Sequence, residues 1–306
     1  QTGPLVLATI IAALAMLHRE YFRMVLLAHR RPHDVMHTDI YYVIVMTMGI
    51  FFATNTAIPA IIAILILGLA ALISGTMMSR TLHSFESWNK QGVPHILREI
   101  APLAFWSTSG AAIHWTFSQG YNYLAAATLD VTAVAAIAAT RLLVMPVNLL
   151  SSGLGAIMIP VASGWLQAHG APVLWRRLMW FGLVVGAFSF IYLVALWVFR
   201  DWVFGVVLEK DFAQRDQLLL LWSLAFLVMV VRDQLMYLLV VRERFRFMTL
   251  LTLLSAVVSL TISYWGMLRF GTVGAPLGLL IGQLINVVGI VWLSMREAER
   301  PEPALA

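Results

Sequence analysis

Nine stretches of mainly apolar residues, roughly 4–18, 38–54, 57–76, 100–124, 132–164, 178–199, 217–240, 247–268 and 273–294, occupy most of the chain. Each approaches or exceeds the ~20 residues with which an α-helix crosses a ~30 Å hydrocarbon core. Little charge is left for anything else. Only 11% of the 306 residues are charged, 61% are hydrophobic, and the mean hydropathy is +0.86. Soluble domains carry about 25% charged residues, so a soluble two-domain enzyme, a disordered tail and a nucleic-acid module are excluded despite the pI of 9.8. Strict alternation of polar and apolar residues never persists, which excludes long strands. The expected fold is an all-α integral membrane protein of about nine spans. The stretches 100–124 and 132–164 exceed one perpendicular crossing, which predicts tilt or extension along the surface. Thr54, Asn55, Thr56 and Pro59 read as a tight turn between the second and third spans. With no cysteine in the chain, disulfides, thiol catalysis and Cys-ligated metals are ruled out.

The basic residues predict an orientation. If the loops alternate between two sides, fourteen of the twenty Lys and Arg fall on the side that follows the first span, among them Arg23, Arg30, Arg31, Arg80, Arg176, Arg242 and Arg296. Four, Arg200, Lys210, Arg215 and Arg269, fall on the other. Arg141 and Arg232 remain inside spans. The Arg-rich side is expected to be cytoplasmic, which puts the C-terminus there. Tyr41, Tyr42, Trp202, Trp222, Tyr264 and Trp265 near span ends fit interfacial aromatic belts.

The longest polar stretch on that side is 78–99, with Gly92-Val93-Pro94 as a breaker. It divides a partial N-lobe of three spans (1–77) from a C-lobe of six (100–296), followed by a tail at 297–306. The two parts share a pattern. At an offset of 213 residues Arg19 meets Arg232, Leu26 meets Leu239, Arg31 meets Arg244, and Glu20 and Asp233 keep their charge. Two further spans follow each pair, entered through Ala57-Ile58-Pro59 in one copy and Gly274-Ala275-Pro276 in the other. Both Arg-acid pairs run toward the same side, as in a parallel repeat about an axis along the membrane normal. If the repeat unit is the six-span part, the first part lacks three spans, which agrees with a chain that begins Gln1-Thr2-Gly3-Pro4 without an initiator Met.

The run Leu17-His18-Arg19-Glu20-Tyr21-Phe22-Arg23, then Arg30-Arg31-Pro32 and Asp39, resembles the region after the fourth span of bacterial polysaccharide flippases. These belong to the superfamily that also holds the MATE drug exporters and the lipid II flippases. Ala139-Thr140-Arg141 through Pro146 and Asn148 to Ile159-Pro160 is similar to that family's eighth span, and Gly271 to Gly278 to the turn into its last. The resemblance implies two helical bundles facing one another across a central cavity that opens alternately to each side. It also implies a lipid-linked oligosaccharide as substrate and glycan polymerase or export proteins as partners.

A charge near the bilayer centre costs ~2.5–3.5 kcal/mol on insertion scales, so such a residue faces a cavity or a partner. Arg141 lies about 14 Å into its span at 1.5 Å per residue. Arg141, Met145, Asn148 and Ser152 share one helical face, and Ser107, Ala111, His114, Ser118 and Asn122 form a comparable stripe on the preceding span. Two polar stripes on neighbouring spans predict a hydrated surface. The functional reading is a cationic cavity in which Arg141, Arg232 and Arg19, with Asn148 and His114, hold an anionic group such as pyrophosphate. The alternative is that Arg141 pairs with Asp130 or a carbonyl. Adjacent residues on a helix point ~100° apart, so Arg19-Glu20 and Arg232-Asp233 are not expected to satisfy themselves. They read as a gate or first landing site, or else as snorkelling anchors. His114 is either a proton relay or a neutral hydrogen-bonding group. Pro146, Gly153 and Pro160 supply a hinge, or simply a bent helix.

Nothing points to an enzyme. No nucleophile elbow, zinc-protease motif, phosphate loop or carboxylate pair is present. His29, His33 and His37 share a spacing of four, but Pro32 interrupts it and the neighbours are basic, so no metal and no cofactor are expected. The reading favoured is a transporter that moves a lipid-linked (undecaprenyl-pyrophosphate) oligosaccharide across the bacterial inner membrane by alternating access. No Asp or Glu is placed near mid-membrane, which favours an anionic substrate over the cations of drug exporters. The alternatives are a MATE-like drug or ion antiporter, a membrane polysaccharide polymerase or acyltransferase, and a scaffold for glycan-synthesis partners. The longest loop on the Arg-poor side, 200–216, is short for such an enzyme.

Overall fold

The computed structural model describes residues 2–56, 58–86, 93–207, 212 and 214–299. Residues 87–92 of the expected linker, Lys210, and the tail beyond Glu299 lie outside the described residues. Every regular element among the described residues is helical: α1 (Thr2–Ala28), α2 (Pro32–Ala53), α3 (Pro59–His83), α4 (Val93–Thr128), α5 (Val131–Val198), α6 (Arg200–Trp202), a π turn at Val203–Val207, α7 (Arg215–Val241), α8 (Phe245–Phe270), a 3-10 turn at Gly271–Val273 and α9 (Gly274–Glu299). Six helical segments are long and apolar enough to cross a membrane, and two of these, 131–198 and 245–299, are long enough to do so twice. The chain is therefore a multi-pass, all-α protein by length and composition. α4 falls short of that apolarity although it spans 36 residues. The cause is its polar stripe, which includes Ser107, His114, Ser118 and Asn122.

Helices outrun the apolar stretches at most ends. α1 continues ten residues past the expected boundary, through Arg19, Glu20 and Arg23, because Leu, Met, Ala, Arg and Glu are all good helix formers and hydropathy alone does not end a helix. The expected linker is likewise helical at both ends, since α3 runs to His83 and α4 starts at Val93. Prolines that stop a helix in its interior are tolerated at its first turn, where the missing N–H had no partner; Pro32 and Pro59 open α2 and α3 in this way. Asp130 caps α5, its carboxylate accepting from the Thr132 hydroxyl and the Ala133 N–H, both at 2.6 Å. Those bonds favour the charged form and hold the carboxyl below its ordinary value.

The chain forms two compact units, 1–92 and 93–306. In the first, α1 packs along α3, and α2 packs on α3. Small residues allow the approach: a Cβ on Gly68 would come within 2.9 Å of the Ala12 backbone, and one on Gly75 within 3.0 Å of the Arg19 backbone. Phe22, Leu26, Val35, Met78 and Leu82 fill one end. In the second unit α7 is central, packed against α5 and α9, with α8 against α9 and α4 against α8. Its core is rich in aromatic residues, including Phe117, Tyr121, Phe204, Trp222 and Phe226. This unit is inverted relative to a soluble domain. Arg232, Gln234, Gln283, Asn286, Ser255 and Ser259 are buried, while Trp180, Leu183, Phe188 and Ile191 point outward with about two-thirds of their surface exposed. Polar inside and apolar outside is the arrangement a lipid solvent demands.

The repeat is expressed in the helices themselves. Shifted by 213, α1 coincides with α7 at both ends, and the starts of α2 and α8 coincide. Each pair is joined by a short turn with a left-handed non-glycine residue at the same place, Arg30 (φ 56°) and Glu243 (φ 57°). In both copies the first helix packs closely on the third and barely on the second.

Candidate functional site

Within the second unit a cavity of about 390 Å³ opens among α4, α5, α7, α8 and α9. Its position follows from where the polar stripes cross. α4 contributes Ser107 and His114, α5 contributes Asn148 and Ser152, and α9 contributes Asn286. Thr249 and Thr252 come from the first turns of α8, and three methionines, Met229, Met236 and Met248, form the softer part of the wall.

Arg232 and Asp233 supply its charge. Arg232 is only 4% exposed. Its Nη1 donates to Gln283 Oε1 at 2.7 Å, and its Nε and Nη2 donate to Asp233 Oδ1 at 3.0 and 2.5 Å. Asp233 Oδ2 accepts from the Ser151 hydroxyl at 3.1 Å, and Ser151 in turn accepts from Gln234 Nε2 at 3.3 Å. The network ties α5, α7 and α9 together and leaves Arg232 fully engaged. The expectation that adjacent Arg and Asp cannot bridge is thereby corrected. The ~100° between them on the helix is spanned because the arginine stem is long enough to curl back to its neighbour.

The first unit uses another solution at the equivalent place. Arg19 pairs with Asp39 on α2 through Nη2, its Nε donates to Ser74 at 3.4 Å, and its guanidinium lies 4.0 Å over the Tyr42 ring. Glu20 is 3.8 Å from Arg19 and instead bonds Arg23 at 2.8 Å. At the offset of 213, Asp39 corresponds to Thr252, which lines the cavity of the second unit. The second copy has no carboxylate at that position, and Asp233 takes the pairing role.

Of the residues expected to form one cationic cavity, Arg232, Asn148 and His114 come together with Asp233, whereas Arg141 is not among the lining residues. It lies seven residues before Asn148, about 10 Å away along α5, and donates from Nη1 to Gln119 Oε1 at 2.9 Å. Nor does it pair with Asp130, whose carboxylate is spent on the start of α5. Arg19 and Glu20 belong to the first unit, so their partners are found there. The expected hinge is continuous helix: α5 passes through Pro146, Gly153 and Pro160, and its sole non-helical interior residue is Gly170 (φ 75°, ψ 174°). Gly155 has a different use, since a Cβ there would meet the Tyr237 hydroxyl at 2.6 Å. His33 and His37 lie side by side on the exposed face of α2, their ring nitrogens hydrogen-bonded at 3.0 Å, and no metal cluster of three ligands occurs among the described residues.

Sequence reasoning did not single out Gln283, Ser151, Asn286 or Tyr237. Glutamine and asparagine inside an apolar run are the signal that was available for Gln283 and Asn286. Ser151 carries no signal of its own, because it matters only through Asp233, 82 residues away. Searches against family models, curated proteins and solved structures match nothing to this chain.

Proposed function

We propose that this chain is a membrane transporter that moves a lipid-linked oligosaccharide, an undecaprenyl-pyrophosphate glycan, across the bacterial inner membrane by alternating access. The observation that carries the reading is a cavity entered by polar side chains from five helices whose outer faces are apolar. Apart from the ion pair and His114, the polar part of its wall is hydroxyls and amides, groups that both donate and accept, as sugar hydroxyls require. Asn148, Asn286, Ser152 and Thr249 would meet the glycan. Arg232 and Asp233 hold α5, α7 and α9 in register behind it, and His114 faces the same space. Arg19, Glu20 and the first unit would form the corresponding half of a two-lobed transporter, with the Arg-rich loops and the C-terminus in the cytoplasm.

The test is translocation of a fluorescent undecaprenyl-pyrophosphate glycan by the reconstituted full chain. Replacing Asn148 or Asn286 with Leu removes the donor and acceptor while keeping the volume. Each should slow translocation about tenfold, the worth of one well-formed hydrogen bond in the rate-limiting complex. Unchanged rates in both variants overturn the reading.

A MATE-like cation antiporter is the second reading, favoured by Asp233. Its carboxylate is 20% exposed in the cavity wall. Cation-driven uptake of a cationic dye, abolished in Asp233→Asn while glycan translocation is absent from wild type, would establish this reading instead.

A further inference from the structure

We propose that Arg141, Trp222 and Tyr121 form a binding site for a monatomic anion, a halide, in the second unit and apart from the cavity. The argument begins with charge. Arg19, Arg23 and Arg232, the other arginines set well inside α1 and α7, each face a carboxylate. Among the described residues no carboxylate pairs with Arg141, although it lies ten residues into α5 beside a fully buried aromatic cluster. A cation at that depth without a counter-charge is costly.

The hydrogen-bonding inventory points the same way. The Arg141 guanidinium carbon stands 5.7 Å from the Tyr121 ring centre and 5.8 Å from that of Trp222, and the two rings are 5.3 Å apart. Tyr121 is 1% exposed and Trp222 0%. Three polar atoms in this triangle are buried with no partner in good hydrogen-bonding geometry: Arg141 Nε, Trp222 Nε1 and the Tyr121 hydroxyl, which lies close to both the Arg141 guanidinium and the Asn122 amide. Two of the three are obligate donors, and the hydroxyl is free to be one. The neighbouring acceptor is Gln119 Oε1, and it is already taken by Arg141 Nη1 and by Asn122 Nδ2 at 3.1 Å.

What is missing is therefore an acceptor with negative charge. A water satisfies the donors and can place a hydrogen on the Tyr121 oxygen, but it leaves the arginine charge uncompensated. A halide accepts from several donors at once, carries the charge, and needs no donor in return. An inorganic phosphate or the pyrophosphate of a lipid headgroup shares that chemistry, but Arg141 Nε, Trp222 Nε1 and the Tyr121 hydroxyl are each sealed from solvent, which favours the smallest anion. The assignment does not depend on what the cavity carries.

Binding of radioactive chloride to the purified full chain in detergent tests the proposal, with inorganic phosphate, inorganic pyrophosphate and undecaprenyl pyrophosphate as competitors. The expected result is saturable binding of one chloride per chain, displaced by bromide and not by the phosphates. Arg141→Gln should weaken it tenfold or more. Trp222→Phe keeps the ring and deletes only the N–H, so it should weaken binding severalfold in a chain that still elutes as wild type. This carries the test if the arginine variant fails to fold. Absence of saturable chloride binding by wild type means the site holds water and overturns the proposal. Displacement by pyrophosphate or its lipid at lower concentration than bromide also overturns it, because the site would then belong to a headgroup. Chloride binding unaffected by Trp222→Phe and Arg141→Gln places the halide elsewhere and likewise overturns it.

Discussion

At the scale of single residues, the chain keeps charge inside an apolar fold by giving most cations a specific counter-group. Arg232 is the strongest case, with Asp233, Gln283 and the Ser151 hydroxyl disposed around one ion pair. Removing one partner from such a pair is worse than removing both, because the survivor is left charged and desolvated. Asp233→Asn is expected to destabilise the second unit by about 3 kcal/mol or more. The double variant Arg232→Met, Asp233→Asn should recover a substantial part of that loss. Thermal unfolding in detergent, read by helical circular dichroism, checks both, and a double variant no more stable than the single one would refute the pairing argument. The importance of Arg232 is legible in the sequence, since few charges interrupt α7. Its partners are not: Gln283 and Ser151 lie 51 and 82 residues from the residues they bond. Their contribution depends on helix rotation, which hydropathy does not encode. The same limit explains Arg141. It shares a face with Asn148 on an ideal helix, yet the cavity is bounded short of it.

At the scale of elements, apolar periodicity identifies the helices well and their ends poorly. The clearest example is α5, where two expected spans, 132–164 and 178–199, extend as helix through residues that read as loop until they meet at a kink. One residue breaks it. Gly170 has φ 75° and ψ 174°, a combination that residues with a Cβ adopt only under strain. Pro146 and Pro160 catch the eye in the sequence, but lost hydrogen bonds within a span are re-satisfied by neighbours and the helix continues. Gly170→Ala should therefore lower stability by about 1–3 kcal/mol. Gly153→Ala is the matched control. Gly153 has helical backbone and nothing within 4 Å of an added Cβ, so the change should be neutral or raise stability by about 0.5–1 kcal/mol. Comparing the two midpoints distinguishes a backbone requirement at Gly170 from a general intolerance of added volume in α5.

At the scale of the whole molecule, the repeat and the sidedness of charge make one argument. The α1–α2 and α7–α8 turns coincide at an offset of 213, with Arg30 and Glu243 left-handed and Arg31 and Arg244 beside them. Hairpins that both carry their arginines at this turn should place it on the same side, and the positive-inside bias predicts that side to be cytoplasmic. The opposite turns, after α2 and after α8, hold Asn55 and Arg269. The absence of native cysteine makes a clean experiment possible, because a single introduced thiol is the only one to label. In intact cells a membrane-impermeant maleimide should modify Asn55→Cys and Arg269→Cys. Arg30→Cys and Glu243→Cys should react only after permeabilisation. All four positions are exposed at helix ends or turns, so accessibility within the protein does not bias the comparison. If Arg30→Cys and Glu243→Cys label on opposite sides, the two hairpins are not related by an axis along the membrane normal. If both label from outside, the orientation inferred from arginine is inverted, and the cavity flanked by α7 and the first turns of α8 must open outward rather than toward the cytoplasm.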